Sequence, residues 1–508
     1  MSRQDTPESN ITDTEANSSY CLLSNNDLHF LPYSANNQSL LVPNNSDYPI
    51  YSSFLNNKTV SSFDSCNSSL NNVEIGNDEN NPIIKLLENY KSHAIYLPDD
   101  FIPLDEDNDQ NNKIKSLLLN IFAHWNYFEN ISIKKLTGGI TNMLLECTYK
   151  NPSSSELEIV LVRTYGNGTD LIIDRDREFV SHLILNSLNL APPIHARFGN
   201  GLVYGYIEGR SLNYDELSDS VLYPLIASKL GCLHRTANVN MIDDSLNKLK
   251  RKFHLSNNIS NESDNIWSVL LDWIEKLPYI PSMLELCLNN HDILTLSDLK
   301  STNKSNLLKS ILINEIQWLK KEIGLSSVSV VSHNDLLSGN VIIPTLEDLS
   351  STKSFENFEY NPLSFIDYEY MMPAPRAFDI ANHFMEWQGF DCDKSKIPQF
   401  RFNKLTKNYE NETIFSWCKY YLNTFHSSNP NLNPYSPTNS KISIDDSLIQ
   451  HLVNEIAFHY GMPGLYWGVW SCIQSEISFI DFDYASYSCE RLIEYWNWKR
   501  TFLTNKIN

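Results

Sequence analysis

Val331-Ser332-His333-Asn334-Asp335-Leu336-Leu337-Ser338-Gly339-Asn340 decides the reading of this chain, together with Phe365-Ile366-Asp367-Tyr368-Glu369-Tyr370, whose aspartate lies 27 residues after Asn340. Each stretch begins with an apolar run, at 328–331 and 363–366, that reads as a short buried strand leading at once into an acidic loop. Transfer of a phosphoryl group to an alcohol needs a carboxylate beside the attacking hydroxyl and oxygen ligands for magnesium near the phosphates. Asp335 and Asn340, five residues apart, can supply one of each, and Asp367 can hold a second side of the metal. An isolated Asp after an apolar run is more often a cap or a turn residue. Two such loops in this order, behind a β-rich segment, make that reading the weaker one.

Outward from these loops the chain changes character. Residues 1–82 are rich in Asn and Ser, with too few apolar side chains to offset the entropy of ordering, and a disordered tail is expected. Residues 83–90 begin the ordered part. Residues 112–128 read as a helix with Ile114, Leu117, Leu118, Ile121 and Phe122 on one stripe. Residues 144–149 and 159–163 read as paired strands across a polar turn at 151–155, followed by a helix over 176–185 and a strand over 202–207. That β-β-α-β order predicts a small antiparallel-sheet lobe. From about residue 215 helical periodicity dominates, with polar breaks at 255–264 and 427–441, the second reading as a surface loop. The expected fold class is α+β, with a nucleotide lobe over 83–205 and a helical lobe over 206–508.

Composition narrows the partners. At 508 residues the chain exceeds a single ordinary core, and 42% apolar with 20% charged residues is a globular balance. Lys and Arg number 39 against 61 Asp and Glu, a formal charge of −22. Such a surface repels nucleic acid and anionic lipid heads and favours a cationic substrate. Nine scattered cysteines without CxxC or Cys/His spacing predict reduced, mostly buried thiols. No signal-peptide core and no run of 18 apolar residues occur, so a cytoplasmic protein without membrane insertion is expected. There is no GxxxxGK[ST], which excludes a P-loop enzyme.

The His-x-Asp-x-x-x-x-Asn spacing and the later Asp-led loop resemble the kinase-like phosphotransferases. Ile366-Asp367-Tyr368-Glu369-Tyr370 and Arg376-Ala377-Phe378-Asp379-Ile380-Ala381-Asn382-His383-Phe384-Met385-Glu386-Trp387 narrow the resemblance to the choline/ethanolamine kinase family, over roughly residues 83–503. The resemblance implies a bilobal protein-kinase-like fold, similar to aminoglycoside phosphotransferases, with ATP and Mg2+ as cofactors. It implies that Asp335 is the base at the substrate hydroxyl, that Asn340 and Asp367 bind magnesium, and that Glu386 lies near the metal or the amine. His333 and Asp379 read as supports of the loop.

Leu136-Thr137-Gly138-Gly139-Ile140-Thr141-Asn142 resembles the family's nucleotide-covering turn, where Gly138, Gly139, Thr141 and Asn142 would approach phosphate; alone, such a turn is more often a plain hairpin. In Val160-Leu161-Val162-Arg163-Thr164-Tyr165, Arg163 would reach the phosphates in place of the usual kinase lysine, paired with Glu178. The bland alternative is an exposed Arg–Glu surface pair. Tyr206 and Ile207 would read the adenine from the hinge.

Leu465-Tyr466-Trp467-Gly468-Val469-Trp470 puts two tryptophans on one helix face. With Tyr370 and Tyr487 they would form an aromatic cage, since ring faces attract a quaternary ammonium by about 0.5–2 kcal/mol each. A packed aromatic core is the usual outcome for such a face, and the family resemblance tips the reading to the cage; Trp387 reads as core. The expected acceptor is choline, whose phosphorylation opens phosphatidylcholine synthesis in that family, with ethanolamine as the alternative. An aminoglycoside-type kinase would show more acid and fewer aromatics. A protein kinase would show His-Arg-Asp and Asp-Phe-Gly. A dead kinase-like binding module would usually lack one of Asp335, Asn340 and Asp367. Many relatives are dimers, so a homodimer stays open.

Overall fold

The computed structural model describes residues 95–507 apart from 105–107, 137–141, 154–156, 167, 254–264, 292–302, 347–348, 390–391, 437–443 and 479. The tail at 1–82, the segment 83–90, the break at 255–264 and Gly138, Gly139 and Thr141 lie outside the described residues.

The small lobe is one six-stranded sheet with strands β1 (Ile95–Leu97), β2 (Ile131–Leu136), β3 (Asn142–Lys150), β4 (Leu157–Tyr165), β5 (Ile194–Phe198) and β6 (Gly201–Gly205). Their order is β1-β5-β6-β4-β3-β2, and all neighbours are antiparallel except β1 with β5. Alternation along the strands explains the packing. Leu145, Cys147 and Tyr149 of β3 and Val160 and Val162 of β4 face a core that also takes Ile114, Leu117 and Leu118 of helix α1 (Asn108–Ile121). Helix α1 ends at Ile121, short of the expected residue 128. The chain turns there so that Trp125 can stack on Tyr149 at 4.8 Å and donate to Glu158. Strands β1, β2 and β5 are additions to the expected β-β-α-β pattern.

Helix α2 (Arg175–Ser187) is capped by Asp174, which accepts from the amides of Asp176 and Arg177. Just before it, Ile172 and Ile173 leave the small lobe and bury in the core of the large one. Trp273 Nε1 donates to the Ile172 carbonyl at 3.2 Å, and Lys276 Nζ to that of Leu171 at 2.7 Å. Each buried isoleucine contributes roughly 1.5–3 kcal/mol. This strap joins the lobes at a second place, apart from the connection after Gly205.

That connection runs through Tyr206–Glu208 into β7 (Arg210–Ser211), which pairs with β9 (Val341–Ile343), itself paired with β10 (Ser364–Phe365). Gly209 has φ +143°, and a Cβ there would stand 2.4 Å from the Ile343 carbonyl oxygen. No other residue fits that approach.

The large lobe holds α3 (Tyr223–Thr236), α4 (Val239–Phe253), α5 (Ile266–Glu275), α6 (Pro281–Asn290), α7 (Lys304–Ile323), α8 (Arg376–Met385), α9 (Glu412–Phe425), α10 (Asp446–His459), α11 (Met462–Ile477) and α12 (Tyr484–Ile507). Strand β8 (Ser329–Ser332) pairs with β11 (Met372–Pro375), a buried Met-Pro-Ala-Pro strand. A further short hairpin joins β12 (Arg401–Asn403) to β13 (Asn408–Glu410). The result is a bilobal α+β fold.

The expected surface loop at 427–441 is in part interior. Asn433 is fully buried and donates to the carbonyls of Phe355 and Phe358, because an irregular segment lying on the core must satisfy that segment's backbone. None of the seven described cysteines is in a disulfide, and five of them are buried. No helix among the described residues is long and apolar enough to cross a membrane.

Candidate active site

Strand β8 delivers His333, Asn334 and Asp335 into a loop whose backbone is held by a buried carboxylate. Asp379 of α8 accepts from the amides of His333 and Asn334 and from His234 Nε2, each at 2.8 Å. Burial raises its pKa, but these donors win and hold the carboxyl below the ordinary value. His333 donates from Nε2 to the Ile366 carbonyl at 3.0 Å and accepts the Asp335 amide on Nδ1 at 3.3 Å. Those partners define a neutral ring with its proton on Nε2, which agrees with a pKa lowered by burial.

The two acidic loops are stapled together. Besides His333 to Ile366, Asn334 Nδ2 donates to the Tyr370 carbonyl at 2.7 Å and the Ile366 amide to the Asn340 carbonyl at 3.1 Å. Asn334 and Asp367 both sit in the left-handed region, at φ +66° and +64°. Non-glycine residues there cost of order 1–3 kcal/mol and persist where surrounding contacts over-determine them. Here the staples do so.

Asn340 Nδ2 bonds the Asp335 carbonyl at 2.8 Å and its carboxylate at 3.3 Å, which leaves the amide oxygen as the acceptor on the other side. The Asp335 pKa is raised well above its ordinary value, first by burial and then by the charges of Asp367, Glu386 and Glu369. Asp367 is also raised, by burial and by Glu369 and Glu178, against the pull of Arg163. Among the described residues no three His, Cys, Asp or Glu side chains form a ready-made metal cage. A kinase-type magnesium needs only one or two protein groups and takes its other ligands from phosphate and water. Mutually repelling carboxylates beside a free amide oxygen suit such a hard cation.

Arg163 at the end of β4 is buried among carboxylates rather than exposed. Its Nη1 lies 3.2 Å from Glu178 Oε1 and 2.9 Å from Asp367 Oδ1, and its Nη2 bonds Glu369. Arg175 joins the same cluster, 2.9 Å from Glu178 and 3.0 Å from Glu369. Asn142 also turns to this network: Nδ2 donates to Glu369 at 3.0 Å and Oδ1 accepts from Arg175 at 3.1 Å. Its side-chain donor is thereby committed to Glu369. Arg175 and Glu369 were not singled out by sequence; the clue was an Arg–Glu pair three apart on one helix and a second carboxylate two residues beyond Asp367.

The aromatic residues come together only in part. Tyr370 meets Trp467 with centroids 5.7 Å apart, Trp467 meets Trp470 at 5.3 Å, and both contacts are edge to face. Both indoles donate, Trp467 to Asn382 Oδ1 at 2.7 Å and Trp470 to the Tyr370 hydroxyl at 2.8 Å. At 4%, 8% and 7% exposure, Tyr370, Trp467 and Trp470 pack like a core. The next ring against Trp470 is Tyr484, while Tyr487 packs on Phe482 and under Arg491. Glu386, half-buried at the end of α8, has a pKa raised by burial and opposed by Arg491. Trp387 is buried and donates to His383. Tyr206 and Ile207 are half-buried in the connection between the sheets.

A sheet lobe, a helical lobe and two stapled acidic loops beneath a buried Arg–Glu pair are the plan of a kinase-like phosphotransferase. Comparison with known proteins makes this specific. The family model for choline/ethanolamine kinase matches residues 133–496, and the chain belongs to that family. A probable ethanolamine kinase of Nematostella vectensis is 30% identical over 384 residues, covering 74% of this chain and 90% of that protein. Human ethanolamine kinase 1 is 28% identical over 386 residues, covering 76% and 71%. The solved structure of a Plasmodium vivax ethanolamine kinase shares the fold, with a TM-score of 0.54, 24% identity, and coverage of 84% of this chain and 97% of that one.

Proposed function

We propose that this kinase transfers the γ-phosphoryl group of ATP to the hydroxyl of ethanolamine, with choline the poorer acceptor. The observation that carries the acceptor is the state of the aromatic wall. Tyr370, Trp467 and Trp470 close on one another edge to face, while the Asp335 and Glu386 carboxylates stand half-buried nearby. A primary ammonium can donate three hydrogen bonds to such groups, whereas a quaternary one needs open ring faces. The ethanolamine kinases among the relatives support the same choice. The preference departs from the choline expected from sequence, and the two tryptophans on one helix face suit either acceptor.

In this reading ATP lies between lobes divided at 205/206, with its adenine at Tyr206–Ile207 and its phosphates approached by Gly138, Gly139 and Thr141. Asp335 orients the acceptor hydroxyl and takes its proton, for which a carboxyl pKa raised by burial and neighbouring charge is suited. Asn340 and Asp367 would hold magnesium, which supplies charge neutralisation at the phosphates. Glu386 binds the amine end. An ADP-release assay with ATP and magnesium tests the proposal, and kcat/KM is expected to be at least about tenfold higher for ethanolamine than for choline. A preference for choline would overturn the acceptor, and no release with either would overturn the reaction.

A further inference from the structure

Two guanidinium groups share the carboxylates of the cleft, yet they are held differently. Arg163 touches Glu178, Asp367 and Glu369, so two of its three partners belong to the loop after β10. Arg175 also grips Glu178 and Glu369, and it is fastened by neutral groups as well. Its Nη2 donates to Thr169 Oγ1 at 2.6 Å and to Asn142 Oδ1 at 3.1 Å, and its Cζ lies 4.0 Å from the Tyr165 ring centroid. As the first residue of α2 its charge opposes the helix dipole, an arrangement that helix stability does not favour.

The charges show what this achieves. Two cations face three carboxylates. If Arg163 alone neutralised them, turning it toward a nucleotide would strand Glu178, Asp367 and Glu369 beside the phosphates. With Arg175 in place, Glu178 and Glu369 each keep a cation within 3.0 Å, and only Asp367 is released, which is the group proposed to take the metal.

We infer that Arg175 is a positioning residue, the standing countercharge that frees Arg163 to bind the phosphates of ATP. The inference rests on the reading of the cleft as an ATP site. It names Arg175 as a determinant of nucleotide affinity from which the amino alcohol is independent.

The test uses the full chain, with Mg2+·ATP affinity measured by calorimetry and the Michaelis constants of both substrates measured separately. The parent chain is read first, and absence of ATP binding there would sink the kinase reading and this inference with it. Given binding, Arg175→Gln is expected to weaken ATP binding about tenfold or more while the KM for ethanolamine stays within about twofold. Arg175→Lys, which restores the charge, is expected to recover most of the affinity. Equal losses in the Gln and Lys variants, or unchanged ATP affinity in a folded Gln variant, would overturn it. Should Arg175→Gln not fold, the charge-keeping Arg175→Lys decides: ATP affinity within about tenfold of the parent supports the countercharge role, and a larger loss in the folded Lys variant overturns it.

Discussion

Asp335 is half-buried and Asp379 fully buried against the same loop, and their surroundings act in opposite directions. Asp379 receives two backbone amides and a histidine, and its carboxylate is held charged. Asp335 stands among like charges from Asp367, Glu386 and Glu369, and its charge is resisted. Neutralising each therefore separates function from stability. Asp335→Asn is expected to lower turnover by about 10³-fold or more while the thermal midpoint holds or rises. Asp379→Asn aims an amide NH2 toward backbone donors and is expected to cost about 2–4 kcal/mol of stability along with activity. Thermal melts and initial rates on the two variants check both halves, and a destabilised Asp335→Asn would contradict the repulsion. Sequence made these two residues legible because their motifs are local. Arg175 to Glu369, 194 residues apart, has no local signature, and only the folded chain brings the two together.

Elements transmit what residues begin. Helix α11 reaches the catalytic loop through α8: Trp467 Nε1 bonds Asn382, and Asn382 Nδ2 bonds the Asn334 carbonyl at 2.9 Å. A tryptophan expected as a cage wall is thus also a brace. Trp467→Phe keeps a ring but leaves the Asn382 oxygen buried without that donor, a loss of about 1–3 kcal/mol. The expected result is kcat lower by about tenfold with the amino-alcohol KM within about twofold. A raised KM at unchanged kcat would return Trp467 to the pocket wall alone. The stripes of α1, the β3–β4 pair and the strands ahead of both acidic loops were readable because burial imposes a period on them. The 2–3-residue strands β1 and β7 are too short for any period, and tertiary pairing makes them.

At the scale of the whole molecule, buried histidines govern the response to acid. His182, His383 and His459 are buried, and burial pushes each down to about 4 from an ordinary 6.5. Between those values the unfolded chain binds protons that the folded chain refuses, so stability rises with pH across that window and falls as pH drops through it. Each histidine withdraws up to about 3 kcal/mol by pH 4. Asp379, with its lowered pKa, contributes stability above the ordinary carboxylate range that is lost only at still lower pH. Urea midpoints are expected to be level from pH 8 to 7 and to fall steeply below about 6. A level profile down to pH 5 would show that these rings take up protons while folded.

The strap at Ile172–Ile173 has a consequence for how the chain is made. A ribosome delivers the sheet lobe first, yet Trp273, which bonds the strap, comes 101 residues after Ile172, and the core that covers the two isoleucines extends to Phe502. Until those helices emerge, two large apolar side chains of the nascent lobe have no shelter. Order of synthesis and order of completion therefore run in opposite directions, and the lobe translated first is the one finished last.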